Sequence, residues 1–229
     1  ALIHAFLTVT LRANQVVSGL AVTLFGTGLS GYLGQDYVGQ PAGAVFGKIA
    51  VPLLSDIPII GSILFKQDAL VYISYFLVPL AAWYFYKTRS GLFLRAMGEN
   101  PAAVDAAGIN VFGLRYLYIV VGGALAGVAG AYLSLAYAPS WLENMTAGRG
   151  WIAVALVIFA LWDPWRAMAG SYLFGGIDAL GFNLQVLGVP VSGFILNMLP
   201  YIFTVLVLVL VLKRRGGRSA SPQALGLSY

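Results

Sequence analysis

The stretch Leu114-Arg-Tyr-Leu-Tyr-Ile-Val-Val-Gly-Gly-Ala-Leu-Ala-Gly-Val-Ala-Gly-Ala-Tyr-Leu-Ser-Leu-Ala-Tyr137 decides the fold class. After Arg115 it carries no charge, and it exceeds the roughly 20 apolar residues a helix needs to cross a bilayer. Similar runs fall at 14–34, 68–88, 147–162, 166–184 and 197–212. The expected fold is therefore all-α: a polytopic transmembrane helix bundle with about six spans over 1–213 and a polar, basic tail at 214–229. Residues 1–11 are apolar but too short to span. They lack a basic leader or cleavage signature, so they are expected to be the end of a truncated N-terminal helix rather than a signal peptide.

Composition agrees. Of 229 residues, 60% are hydrophobic and 9% charged, with a mean hydropathy of +0.86. A soluble domain carries about 25% charged residues, and this length cannot build a core able to hide so much apolar surface from water. The solvent must be lipid. The net charge of +5 does not indicate nucleic acid, because the basic residues are spread along apolar runs and read better as orientation signals. With no Cys and a single His, His4, thiol chemistry is excluded and little remains for a metal site or a Ser–His–Asp apparatus.

Lys and Arg set the orientation. With the tail (Lys213, Arg214, Arg215, Arg218) placed in the cytoplasm, Arg12, Lys87, Arg89, Arg95, Arg115 and Arg166 also fall inside, and only Lys48, Lys66 and Arg149 fall outside. The segment 35–67, broken by Pro41, Pro52, Asp56 and Pro58, is expected to be an extracytoplasmic loop with short interfacial helices. The runs 147–162 and 166–184 are joined by Asp163-Pro164-Trp165 and are either two spans or a re-entrant hairpin. Trp162 and Trp165 around a charged turn favour two spans, since the hairpin would bury Asp163 and Arg166 at about 2.5–3.5 kcal/mol each. Small residues at helical spacing (Gly26, Ser30, Gly34; Gly123, Gly127, Ala131, with Gly130 and Ser134) are expected to let helix backbones approach closely.

The most informative polar stretch is the loop 89–113. Asn100 is a good N-cap, Pro101 fits the first helical position, the stretch Ala102 to Ala107 is expected to be strongly helix-forming, and Gly108 can supply the left-handed residue that ends it. The result is a two-turn helix about 10 Å long with a nearly bare alanine surface. It suits docking in another protein's groove or lying on the membrane surface.

The run Leu94-Arg-Ala-Met-Gly-Glu-Asn-Pro-Ala-Ala-Val-Asp-Ala-Ala-Gly-Ile109 resembles the coupling loop of ABC importer permeases of the branched-chain amino acid and simple-sugar class, nearest its nucleoside and simple-sugar branch. Arg12-Ala-Asn-Gln-Val-Val-Ser-Gly19 is similar to the family's entry to a mid-chain span. Ala147-Gly-Arg-Gly-Trp-Ile-Ala-Val-Ala-Leu-Val-Ile-Phe159 is similar to its run after a Gly-Arg-Gly turn. The resemblance implies a bacterial inner-membrane subunit with a cytoplasmic C-terminus that performs no covalent chemistry. Its implied partners are a cytoplasmic ATPase holding ATP and Mg, a second permease chain (the same or different) and an extracytoplasmic solute-binding protein. It makes Arg95, Gly98, Glu99, Asn100, Pro101, Ala102, Ala103, Asp105, Ala106, Ala107 and Gly108 the ATPase-coupling residues. Independently, the nearest phosphate-loop lookalike, Gly43-Ala-Val-Phe-Gly47-Lys48, is one residue short and lacks the following Ser or Thr. No cofactor is expected in this chain.

Polar groups within spans are default site candidates. Asp178 lies in an otherwise apolar run and can instead form a structural ion pair with Arg149 that needs no solute. Asn14, Asn183 and Asn197 can hydrogen-bond a solute's hydroxyls or merely join helices. Trp141 and Glu143, with 35–67, are placed to meet a binding protein. His4, Tyr116 and Tyr118 read as packing or interfacial groups. Two rivals stay open: the same machinery carrying branched-chain amino acids or another metabolite, and an ion-driven secondary transporter, for which the lone Asp178 is thin support. A membrane enzyme is disfavoured, since Gly28-Leu-Ser-Gly31 is not a nucleophile elbow.

Overall fold

The computed structural model describes residues 1–58, 60–146, 148–187, 195, 198, 201–206, 209, 213 and 221–227. Helices dominate. In chain order they are α1 (Leu2–Ala5), α2 (Gln15–Gly34), α3 (Ile60–Leu64), α4 (Ala69–Lys87), α5 (Arg89–Glu99), α6 (Pro101–Ala106), α7 (Val111–Tyr132), α8 (Arg149–Ala160) and α9 (Pro164–Val186), with a further helical stretch at 201–206. α1 and α7 each run on into a π-helical turn, Phe6–Thr10 and Leu133–Tyr137. Among the described residues, α2, α4 and α7 with their extensions are long and apolar enough to cross a membrane. Their outward faces are apolar, with Leu24 75% and Phe76 72% exposed, a surface that suits hydrocarbon and not water. The chain is a multi-pass membrane protein.

The chain divides into two compact units. One comprises Ala1–Leu77, Arg89–Thr146 and Gln223–Tyr229, the other Val78–Thr88 and Ala147–Pro222.

In the first unit α1 runs antiparallel to α7. The Thr10 and Tyr116 hydroxyls bond at one end, and Ala1 sits on Gly123 at the other, where a Cβ would collide with its methyl. His4 Nδ1 meets Ser18 Oγ at 3.0 Å, which ties α1 to α2. The α6 end of this unit holds the starts of α2 and α7. The far end holds the 35–67 segment, where β1 (Ile49–Ala50) pairs antiparallel with β2 (Lys66–Gln67) in the register Ile49↔Gln67 and Ala50↔Lys66. This ribbon adds to the short helical pieces expected there. Backbone bridges Val38↔Trp141 and Pro41↔Ser140 fasten the segment to the end of the α7 region. Of the small-residue stripes, Gly34 is filled closely, by the Trp141 indole, whereas Gly26 and Gly127 meet nothing within 4 Å.

The second unit is built on the α8–α9 hairpin. The Phe159 ring lies 3.1 Å from where a Gly170 Cβ would stand, so α9 approaches closely there. Phe174 and Phe203 stack edge to face at 5.4 Å, which seats the 201–206 helix on α9. With 12 and 23 residues, α8 and α9 are about 18 and 34 Å long, so only α9 matches a hydrocarbon core of about 30 Å by its own length. The hairpin turn is taken by Leu161 and Trp162, both in the left-handed region (φ 56° and 59°). Asp163 then caps α9, accepting from the Arg166 N–H at 2.9 Å and from the Tyr86 hydroxyl at 2.8 Å. Tyr86 is one residue from the Lys87 end of α4, so the turn is level with that charged end. A hairpin dipping only part-way, with Asp163 deep in hydrocarbon, does not fit this contact. Of the expected span at 197–212 the described residues are 198, 201–206 and 209, and the start of the tail, 214–220, lies outside the described residues.

Candidate functional site

The loop 89–113 is a folded element. Residues 89–99, a polar connection by composition, form the helix α5. Asn100 turns out of helical geometry (φ −147°, ψ 93°) and caps α6, its Oδ1 accepting from the Ala103 N–H at 3.1 Å. Pro101 occupies the first turn, where a missing N–H costs nothing. Gly108, at φ +79°, ends the helix in the left-handed region, its N–H donating to Asp105 O at 2.8 Å while that of Ile109 reaches Val104 O at 3.3 Å. Asn110 then caps α7 through the Gly113 N–H at 2.9 Å.

One face of α6 is anchored. Val104 packs with Met97 of α5 and Val111 of α7 in a small apolar core completed by Leu94, Ala96, Ile109, Leu114 and Tyr118. The opposite face is bare: Ala102, Ala103, Asp105, Ala106, Ala107 and Gly108 are exposed, as are Arg95, Glu99 and Asn100, with Pro101 and Gly98 half-buried. All the residues named from the resemblance thus gather around one smooth knob. Val104, which sequence reading did not single out, is its root. Its signal was available: the one branched apolar side chain among small ones in the helix.

The end of the tail returns to this loop. The Ala224 N–H donates to Gly98 O at 2.9 Å. Leu227 O accepts from Gln15 Nε2 at 3.3 Å and from Arg115 Nη1 at 3.4 Å. The last described turn of the chain therefore lies against α5 and the starts of α2 and α7, on the α6 side of this unit.

The candidate solute-path residues separate. Asn14 caps α2, its Oδ1 accepting from the Val16 and Val17 N–H groups at 2.9 and 3.1 Å, so its oxygen is committed to structure. Arg149 and Asp178 are brought together, Nη2 to Oδ2 at 3.7 Å, each side chain a little over 40% exposed (42% and 44%). Asn183 donates to Ala179 O within its own helix at 2.8 Å. Asn197 lies outside the described residues. Arg149, Asp178 and Asn183 share the second unit, and Asn14 belongs to the first.

Residues 1–212 match the family described as the branched-chain amino acid transport system permease component. A proposed glucose ABC transporter permease protein of Haloferax volcanii is 39% identical, over 100% of this chain and 76% of that protein. A nucleoside ABC transporter permease protein of Lactococcus lactis is 39% identical over 99% of this chain and 72% of its own length. A guanosine ABC transporter permease protein of Bacillus subtilis is 32% identical over 100% and 72%. No solved structure matches. A match over nearly the whole chain, on a bundle with a capped knob at one end, has one reading: this chain belongs to the branched-chain amino acid transport system permease family and is the permease component of an ABC transporter.

Proposed function

We propose that this permease imports a neutral sugar or nucleoside, with the work supplied by a separate cytoplasmic ATPase that grips α6. The observation that carries the reading is α6 itself: capped at both ends, bare on one face and rooted on the other. A two-turn helix is marginal alone. Here the Met97–Val104–Val111 core ties it to α7, so a displacement of α6 is passed to a membrane-crossing helix. The ATPase would hold ATP and Mg, a second permease chain would complete the pathway, and an extracytoplasmic binding protein would deliver solute. The α6 end, rich in Lys and Arg, would face the cytoplasm of a prokaryotic cell together with the tail.

The names of the relatives support a sugar or nucleoside cargo. The test is Ala103→Arg. The side chain is exposed, so the variant should insert and keep its stability, yet lose both co-purification of the ATPase and ATP-driven uptake. Retention of both would overturn the assignment of α6.

A further inference from the structure

The first unit contains a cleft that neither α6 nor the Arg149–Asp178 pair explains. It is a half-open cleft between the far half of α2 and the segment 141–146, with about 260 Å³ of space. Along α2 its lining runs from Val22 to Gly31, about 13 Å of helix, from near mid-span to the end remote from α6. Thr23, Thr27 and Ser30 line it at i, i+4 and i+7, which puts three hydroxyls on one helical face. Trp141, Asn144 and Thr146 form the opposite wall.

The geometry is built. Trp141 is held by its backbone pairing with Val38 and by Gly34, where any Cβ would collide with the indole. Asn144, in the opposite wall, stands in the left-handed region at φ 57°. Gly26 has open space around it and keeps the floor of the cleft low. The indole also borders a second space of about 490 Å³, lined by Tyr37, Gln40 and Ser134. Trp141 is thus a partition between two voids.

We propose that this cleft is a solute-binding site in the permease itself, taking the ring and hydroxyl groups of a neutral sugar or nucleoside, with Trp141 as the stacking wall. The proposal rests on the solute class given above. Polar groups within a span are default site candidates, and this face of α2 gathers three hydroxyls. Thr23 donates to Gly19 O at 2.8 Å, so what its hydroxyl has left to offer is acceptor capacity, suited to a sugar O–H. An indole face suits the flat side of a base or the C–H face of a pyranose. Glu143, whose carboxylate lies 3.4 Å from a Gly31 Cβ position, adds an acceptor at the rim and disfavours anions.

The chain has no Cys, so single thiols report cleanly. Thr27→Cys and, separately, Ser30→Cys are placed in the permease–ATPase complex in vesicles and exposed to a charged, water-soluble thiol reagent on the extracytoplasmic side, with uridine, D-ribose or D-glucose as probes. Labelling is expected at both positions, slowed by at least about fivefold by a probe at several times its Kd. Ser74→Cys on α4, outside the cleft, should show no dependence on the probes. The proposal is overturned if neither position is labelled, which would mean lipid or packing fills the cleft, or if none of the probes slows labelling. Protection at position 27 in a complex that shows no ATP-driven uptake would sink the importer reading while leaving the cleft assigned.

Discussion

Asn100 holds the knob at its weakest point. A six-residue helix has no reserve of internal hydrogen bonds, so the bond from the Ala103 N–H to Asn100 Oδ1 largely decides whether α6 forms. Asn100→Ala should cost about 1 kcal/mol, read as faster amide exchange at Ala103, with uptake falling more than global stability. Asp163 works similarly at the hairpin turn. The Arg166 N–H and then the Tyr86 hydroxyl hold its carboxyl below the ordinary carboxylate value. The unfolded chain therefore takes up this proton at higher pH than the folded one. The stabilisation is whole above about pH 4 and drains away as pH falls through the depressed folded value. Tyr86→Phe and Asp163→Asn should each weaken this acid dependence, seen as a smaller drop in unfolding midpoint when purified protein is taken from about pH 6 to pH 3. Asn14 shows where residue type alone is ambiguous. A carboxamide within an apolar run suits a solute hydroxyl and a helix cap equally, and only the fold reveals that its oxygen is spent on Val16 and Val17.

At the scale of elements, the knob is only as useful as its attachment. Val104→Ala removes two methyl-sized groups from the Met97–Val104–Val111 core and should cost roughly 2 kcal/mol locally. The coupling of α6 to α7 should loosen with it: ATPase would still co-purify, but ATP hydrolysis would run with less uptake per ATP. Uptake and hydrolysis measured on the same vesicles check this. The long helices were legible because hydrocarbon enforces apolarity along a whole span: runs expected at 14–34 and 68–88 are the helices Gln15–Gly34 and Ala69–Lys87. The ends of α6 were legible too, since Asn100, Pro101 and Gly108 each have a local conformational reason to stand where they do. The helix α5 was not. Its apolar side serves a core of only a few side chains, and its polar side reads as loop. Nor was the pairing of Ile49–Ala50 with Lys66–Gln67, because strands of two residues carry no alternation to read. The short run expected at 147–162 is the helix Arg149–Ala160, trimmed by the left-handed Gly148 at its start and by Leu161 at its end.

For the molecule as a whole, the sequence divides labour before any contact is known: lipid-facing helices, a charged end and no phosphate loop. Tertiary contacts supply what periodicity could not. They bring Ala224 and Leu227 back to α5 and the starts of α2 and α7, and they set Trp141 on Gly34 from a loop that composition alone assigned to a partner surface. The central claim is that motor and path are different polypeptides joined at α6. The most direct test is Ala103→Cys in the otherwise thiol-free chain, treated in membranes with a short bifunctional thiol reagent. The claim predicts a crosslink to a cytoplasmic ATP-hydrolysing subunit whose yield changes with nucleotide. Reaction of that position with an impermeant reagent from the extracytoplasmic side, with no such crosslink, would contradict it.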